Sequence, residues 1–331
     1  MRIFHLKTSL SLFFGLFILS SCDTNQFKVN TSDIPQQEIE IHDYARALFM
    51  LNQDSLKRDL GALQKEFSLF LGDQSLKDEQ VIQLNYYIND PFLMELFSAY
   101  QKAFPSMEPI EKELDVAFQH LIYYYPNIQL PEVYAYISGV QDPVIFQENI
   151  LVLGLDNYLG ADCEIYNKTG IPRYRINSMT PEYIVRDAMI AISMHEIEAP
   201  AADAMLLEFM IYEAKKLYFV NSMLPEIEDQ ILQNYTPEQL KWFSDKESDL
   251  WKYYIENELL FKRDYESLKK FINDAPFTSV FGNNTPPRTG IWLGYKILKG
   301  YVENNKVSLK EVLLNTDAQE ILKKSKFKPG R

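Results

Sequence analysis

Apolar residues recur at three- and four-residue spacing along most of this chain, and one short stretch breaks that pattern. Residues 133–140 alternate between apolar and polar or small side chains. After a turn at Asp142-Pro143, residues 149–160 form an apolar run that Gly160 closes. Alternation and short apolar runs are typical of strands. The sequence therefore predicts a mainly helical α+β fold, in which two paired strands form a small central sheet at about 131–158.

The segments on both sides of this stretch are predicted to be helical. Residues 43 to about 125 keep the helical spacing, with prolines between segments. Thr180-Pro181 and Thr236-Pro237 each indicate a helix start, because threonine caps a helix and proline suits its first position. No repeat or composition shift divides residues 43–331, which we interpret as a single domain. We expect C-terminal helices at 181–195, 201–222, 237–261, 264–274, 289–304 and 308–323.

The first residues have the features of a bacterial lipoprotein signal. Arg2 and Lys7 precede the apolar run 10–19, which as a helix would cover about 15 Å and is too short to cross a bilayer. The run ends in Leu19-Ser20-Ser21-Cys22, which is similar to a lipobox. A plain secretory leader would leave the position of the cysteine unexplained. We therefore predict a signal peptide at 1–21, cleavage between Ser21 and Cys22, and acyl chains such as palmitate on Cys22.

A lipidated Cys22 would tether the protein to a membrane of the cell envelope. Residues 22–42 are largely polar and are predicted to act as a tether between the lipid and the domain. The formal net charge of −13 argues against a nucleic-acid partner. We expect the domain to lie in the periplasm. The sequence is compatible with an anchor in either the inner or the outer membrane. No small-molecule ligand can be named from the sequence.

The second cysteine, Cys163, has no intramolecular partner once Cys22 is lipidated, so the fold is predicted to contain no disulfide. Its neighbours Asp162 and Glu164 are acids, which disfavour a thiolate. We interpret Cys163 as an unreactive side chain in or near the core.

One string looks like the start of a zinc-protease motif. His195-Glu196 would begin His-Glu-x-x-His, but position 199 is alanine and Pro200 ends the helix. A pair of ligands from His195 and Glu198 is compatible with helical spacing, yet a lone histidine at a helix end more often contacts free carbonyls. The other histidines beyond the leader, His42 and His120, lie far away in sequence. We predict no metal site, no catalytic residue and no cofactor besides the lipid on Cys22.

A second alignment with the same motif uses the apolar helix expected at 205–219. It aligns Glu208 with the motif glutamate but places Leu207 and Ile211 where the zinc ligands should be, and neither side chain can bind zinc. Strands followed by a long apolar helix resemble the layout of zincin proteases. If the fold is zincin-like, these residues predict a degenerate, metal-free scaffold.

The glycines of 289–294 lack phosphate-loop spacing, and we expect them to allow close packing at a helix start.

Several short strings occur in an order that resembles one family, the GldB gliding-motility lipoproteins of the Bacteroidetes. The resemblance covers most of the mature chain. One departure is Glu213-Ala214, which stands where we associate the family with Tyr-Gly, and it bears on local packing. The strings are the lipobox, Tyr123-Tyr124-Tyr125-Pro126, Leu155-Asp156-Asn157-Tyr158-Leu159-Gly160, Met210-Ile211-Tyr212-Glu213-Ala214-Lys215, Pro287-Arg288-Thr289-Gly290 with Trp292-Leu293-Gly294, and Lys326-Phe327-Lys328-Pro329.

The resemblance implies an envelope lipoprotein required for surface gliding, and it supplies no catalytic residue. We expect a non-enzymatic scaffold or accessory component that contacts other gliding and secretion proteins of the envelope. Two alternatives stay open: a zincin-like envelope hydrolase, which would need histidines or carboxylates that converge in a cleft, and a sugar-binding lipoprotein, which would need an exposed row of aromatic side chains. The tyrosines at 123–125 and at 253–254 are candidates for such a row, although aromatic residues at helical spacing are more often core.

Overall fold

The computed structural model describes residues 29–329, and four strands within them form one mixed sheet. The strand order is β1-β2-β4-β3, in which β1, β2 and β4 are parallel and β3 is antiparallel to β4. This confirms the predicted α+β class. The predicted signal peptide at 1–21 and the lipidation site Cys22 lie outside the described residues. The strands are β1 (Ile41–Asp43), β2 (Glu132–Tyr136), β3 (Val144–Gln147) and β4 (Ile150–Gly154).

The central sheet contains more strands than the two that the sequence predicts. β2 and β4 are neighbours, as expected, but a hairpin also joins β3 to β4 through Glu148 and Asn149. These two residues have φ values of 48° and 64°, the positive values that a type I′ turn requires. Glutamate is an unusual residue in such a turn, so the sequence gives little sign of the hairpin. β4 ends at Gly154, six residues before the predicted closing glycine.

The remaining strand, β1, begins inside the segment that the sequence analysis assigns to the tether. Ile41 is buried and pairs with Val133 of β2. The sheet therefore extends beyond the predicted limits of about 131–158, and the folded part includes residues of the expected tether. Three residues are too few to show an alternating pattern, which is why the sequence does not indicate this strand.

Helices account for most of the remaining described residues. The helices before β2 are α1 (Tyr44–Phe49), α2 (Leu56–Leu63), α3 (Ser68–Leu71), α4 (Asp78–Ile88), α5 (Pro91–Ala103) and α6 (Glu108–Tyr124). The helices after β4 are α7 (Glu164–Lys168), α8 (Arg173–Ile176), α9 (Ile184–Glu196), α10 (Leu206–Met223), α11 (Asp229–Gln233), α12 (Pro237–Glu256), α13 (Tyr265–Leu268), α14 (Thr289–Asn304), α15 (Leu309–Leu314) and α16 (Ala318–Ser325). Short 3₁₀ turns lie at Gln53–Ser55, Leu155–Asn157, Pro181–Tyr183, Leu259–Phe261, Lys269–Phe271 and Ser279–Phe281.

The predicted start of α12 and both predicted ends of α14 are observed, whereas other predicted helix boundaries differ. Thr236 accepts a hydrogen bond from the backbone N–H of Gln239 at 3.2 Å and starts α12, and α14 spans the predicted 289–304. Thr180 instead precedes a 3₁₀ turn and makes no side-chain capping bond. The predicted helix at 308–323 is broken, because Asp317 caps a second helix, α16, after α15 has ended.

The start of α14 packs closely against α10 and against the 3₁₀ turn Lys269–Phe271, at two glycines. A Cβ atom on Gly294 would lie 2.3 Å from the carbonyl oxygen of Met210, and one on Gly290 would lie 3.0 Å from that of Phe271. Next to them the Trp292 ring stacks on Phe243 at 4.6 Å. This confirms that the glycines of 289–294 serve close packing. Within residues 29–329, no helix combines the length and the apolar character needed to cross a membrane.

We expect Gly294→Ala to lower the free energy of unfolding by about 1–3 kcal/mol, because the added methyl group forces α14 away from the backbone of α10. Urea denaturation of the purified protein measures this change. The matched control is Gly61→Ala in the exposed part of α2, where an added Cβ meets no atom within 4 Å. That control should raise stability by about 0.5–1 kcal/mol, since alanine favours a helix over glycine. Equal effects at both glycines would contradict the packing argument.

Candidate functional site

The three histidines of the described residues lie on different elements and each has a local contact. His42 on β1 packs against Tyr134 with ring centroids 5.1 Å apart, and His120 Nδ1 lies 2.8 Å from the carbonyl oxygen of Val116 on its own helix. His195, at the end of α9, has Nε2 3.1 Å from the carbonyl oxygen of Phe146. The structure therefore does not bring the histidines together. Within residues 29–329, no three His, Cys, Asp or Glu side chains are grouped so that they could hold a metal ion.

The residues aligned with a zinc-protease motif on α10 are structural. Leu207 and Ile211 are buried in the core, as expected for apolar side chains. The Glu208 carboxylate accepts a hydrogen bond from the backbone N–H of Met205 at 2.7 Å, so it satisfies a free donor at the start of its own helix. The glutamate that would act as a general base in this alignment is therefore a helix cap.

The buried Lys215 on α10 has an equally structural position. Its Nζ donates to the carbonyl oxygens of Leu313 at 2.9 Å and Asn315 at 2.6 Å, which belong to the end of α15. Burial lowers the pKa of Lys215 to about 8. A small cavity of about 150 Å³ adjoins it, with Glu198 and Tyr212 also on its wall. Lys215 joins the central helix to the C-terminal helices through two main-chain carbonyls.

Asp156 is a fully buried carboxylate in the loop that follows β4. It accepts hydrogen bonds from the backbone N–H groups of Ser138 at 2.8 Å and Val140 at 2.6 Å. Burial raises the pKa of Asp156, and these hydrogen bonds oppose that rise. Val140 has a φ of 60°, which a β-branched residue rarely adopts, so the carboxylate holds a strained loop at the carboxyl end of β2. Asp156 belongs to one of the strings that carry the family resemblance.

Two arginines secure the end of the short helix α11. Arg186 Nη2 donates to the carbonyl oxygen of Leu232 at 3.2 Å, and Arg288 Nη2 donates to that of Gln233 at 3.0 Å. The Arg288 guanidinium also lies 4.7 Å from the centre of the Tyr235 ring. These contacts satisfy carbonyl groups that a helix end leaves free, and they carry positive charge to the negative end of the helix dipole. Arg288 belongs to another of the family strings.

Two clefts lie on either side of α11, and we call them the α11 clefts. The larger, of about 520 Å³, is bordered by α10, α12 and α14 and is lined by Trp292, Lys296 and Glu247 among others. The smaller, of about 280 Å³, includes Asp274 and Arg288. Charges of opposite sign face each other in both: Lys296 Nζ lies 3.8 Å from Glu247, and Arg288 Nε lies 3.2 Å from Asp274. Because charges of both signs line each cleft, the walls suit contacts with another protein surface more than the capture of an ion of one sign.

The tyrosines predicted as a sugar-binding row, at 123–125 and 253–254, do not form one exposed row in the described part of the chain. Trp292 on the wall of the larger cleft is only 5% exposed, and Tyr254 is fully buried, with its hydroxyl 2.9 Å from that of Thr289. Tyr123 is exposed but packs edge-on against Tyr124 on α6, while Tyr253 packs on Phe281 elsewhere. The candidate tyrosines are therefore scattered.

Of the two cysteines, the described residues include one. Cys163 is half-buried and makes no disulfide within residues 29–329. The predicted cleavage site Ser21 and lipidation site Cys22 lie outside the part of the chain that the structure describes.

Sequence reasoning missed the roles of Asp156, Arg186 and Lys215. Asp156 and Lys215 lie in short sequences that resemble the family. Such a sequence does not show which charged side chain is buried or which main-chain group it contacts. The partners of these residues are main-chain groups between 16 and 100 positions away in sequence, and no local pattern reports such contacts.

The fold and these contacts define a class of protein: a mainly helical α+β domain in which buried ionisable groups secure loops and helix ends. The family can then be stated. The model of the family described as gliding motility protein GldB matches residues 24–329, nearly the whole chain, and the chain belongs to that family. The family associates this protein with gliding motility and confirms the resemblance. No curated protein and no solved structure matched the chain.

We expect the stability of the protein to rise between pH 8 and pH 10 because of Lys215. Its pKa is about 8 in the folded state and near the usual 10.5 when unfolded, so the unfolded chain binds more protons in this range and a higher pH favours folding. The neutral amine keeps two N–H donors for its two carbonyl partners. The gain should be about 2 kcal/mol relative to Lys215→Met across this range. Urea denaturation of both proteins at several pH values measures it, and parallel pH profiles would contradict the burial argument.

Proposed function

We propose that this protein is a lipid-anchored envelope component of the gliding-motility apparatus and of the secretion machinery linked to it, and that it acts as a non-enzymatic scaffold by contact with other envelope proteins. Its family membership, which covers residues 24–329, supports the link to gliding. The proposal adds to that membership a location, an anchor and a mode of action.

The non-enzymatic part of the proposal rests on one observation: the buried charged side chains form hydrogen bonds with the main chain. Lys215 and Arg288 donate to main-chain carbonyls, and Asp156 accepts from main-chain N–H groups. Glu208, which takes the place of the catalytic glutamate in the alignment on α10, caps its own helix. Their hydrogen bonds to the backbone satisfy buried polar groups of the fold, which supports a structural role for these side chains. A domain whose surface clefts carry charges of both signs is suited to binding other proteins.

The proposed anchor explains how weak contacts could suffice. Two or three acyl chains on Cys22 would hold the protein at a membrane, because each buried CH₂ group contributes about 0.8 kcal/mol. Confinement to that membrane raises the effective concentration of the domain near other anchored proteins. Contacts through the α11 clefts, where Lys296 and Glu247 lie 3.8 Å apart, then need little intrinsic affinity.

The experiment is in-cell crosslinking followed by purification of the tagged protein, with gliding scored in the same strains. We expect the wild type to recover motility and secretion components, and Cys22→Ala to lose both these components and gliding, because the unlipidated domain would leave the membrane. The matched control is Cys163→Ala, which removes the half-buried cysteine without touching the anchor and should behave as the wild type.

Two results would overturn this proposal. If Cys22→Ala cells glide normally while their protein is released from the membrane, the anchor is not needed for function. If the wild type recovers no motility or secretion component, the protein does not act by contact with them.

A further inference from the structure

β3 is one of the two outer strands of the sheet, and no strand within residues 29–329 covers its outer edge. Gly154 of β4 donates its N–H to the carbonyl oxygen of Pro143 at 2.9 Å, and Pro143 directly precedes β3. In an antiparallel pair, the residues that bond to the neighbour alternate along the strand. Ile145 and Gln147 therefore direct their backbone groups toward β4, while Val144 and Phe146 direct theirs to the free edge.

The contact of His195 supports this assignment. Its Nε2 lies 3.1 Å from the carbonyl oxygen of Phe146, so that oxygen faces away from β4. Within residues 29–329, no hydrogen-bond partner meets the N–H and C=O of Val144 or the N–H of Phe146. The strand alternates between half-buried and exposed residues, and Ile145 is 41% exposed. One face of β3 is therefore open to solvent, and its outer edge carries backbone groups that have no partner within residues 29–329.

The opposite edge of the sheet, at β1, differs from the free edge of β3 because side chains bind its backbone donors. At β1, the N–H of Ile41 donates to the Glu111 carboxylate of α6 at 3.0 Å, and the N–H of Gln37 donates to Asp115 of the same helix. Side chains of α6 thus occupy backbone donors near that edge. Exposed sheet edges are usually blocked or covered because they pair readily with other strands.

The charge around β3 indicates what could pair with it. Asp142 and Glu148 flank β3 at its two ends, and Glu196 follows His195. A second copy of this chain, paired antiparallel about Ile145, would place Asp142 opposite Glu148 and bring like charges together. A segment that carries Lys or Arg would instead meet opposite charges.

We propose that the free edge of β3 binds an extended, Lys- or Arg-bearing segment of another envelope protein as an added strand. The added strand would exchange backbone hydrogen bonds with Val144 and Phe146, and its N–H would replace His195 at the carbonyl oxygen of Phe146. Basic side chains at its ends would lie near Asp142 and Glu148. This inference rests on the proposed function, because it specifies one surface through which the scaffold makes contact.

The first test uses the full-length protein in detergent and two synthetic probes, an acetylated and amidated peptide of alternating Lys and Val, and its Glu and Val counterpart. Hydrogen exchange of the backbone amides is the measurement. At a concentration ten times the Kd, the Lys peptide should slow exchange at Val144 and Phe146 by about tenfold. The Glu peptide should leave both amides unchanged.

The variant Val144→Pro removes an outward N–H and leaves the bonds between β3 and β4 intact, since Pro is tolerated at the solvent side of an edge strand. It should abolish protection of Phe146 by the Lys peptide. The matched control Val144→Ala keeps the N–H and should retain the protection. Unchanged exchange at Ile145 and Gln147 in peptide-free Val144→Pro would show that β3 is still paired with β4.

No protection by either peptide would overturn the proposal, and equal protection by both would overturn its assignment of a basic partner. Gliding separates this proposal from the proposed function. If cells with Val144→Pro glide normally while those with Cys22→Ala do not, the edge is not the contact surface but the anchored scaffold stands.

Discussion

The close contact between α10 and α14 fixes the helices next to which two buried cations, Lys215 and Arg288, are placed. Gly294 lets α14 approach the backbone of Met210 to a distance at which a Cβ atom would collide with its carbonyl oxygen. The same α14 is preceded by Arg288, whose guanidinium reaches the end of α11, and the same α10 carries Lys215 to the end of α15. A shift of α14 by the width of a methyl group would therefore disturb the packing of the core and the wall of the larger α11 cleft.

A division of roles follows from these contacts. Buried charges are costly unless they are paired or hydrogen-bonded, and here main-chain groups supply the partners. Asp156 stabilises a loop at the carboxyl end of the sheet, while Arg186 and Arg288 stabilise α11. The polar groups of the interior thus maintain shape. We propose that contacts with other molecules are made at the surface, through the α11 clefts and the free edge of β3.

The sequence predicted those parts of the fold that depend on local signals. The class, the start of α12 at Thr236 and the bounds of α14 follow from helical spacing, a capping residue and glycines. β1 and β3 could not be predicted, because one is three residues long and the other follows from a turn with glutamate at a positive φ. The contacts of the candidate site could be predicted from the sequence even less well than the fold. The sequence excluded zinc ligands at Leu207 and Ile211, but the contacts of Lys215 and Asp156 depend on tertiary structure.

The central claim is that the protein works by contact and not by catalysis, and the most direct test is the gliding speed of cells that carry Glu208→Gln. Glutamine can still accept the hydrogen bond from Met205 and keep the cap of α10, but it cannot act as a general base. The account predicts wild-type gliding, with the protein present at its normal level. Loss of gliding by a folded, normally abundant Glu208→Gln protein would contradict it and would indicate an enzyme.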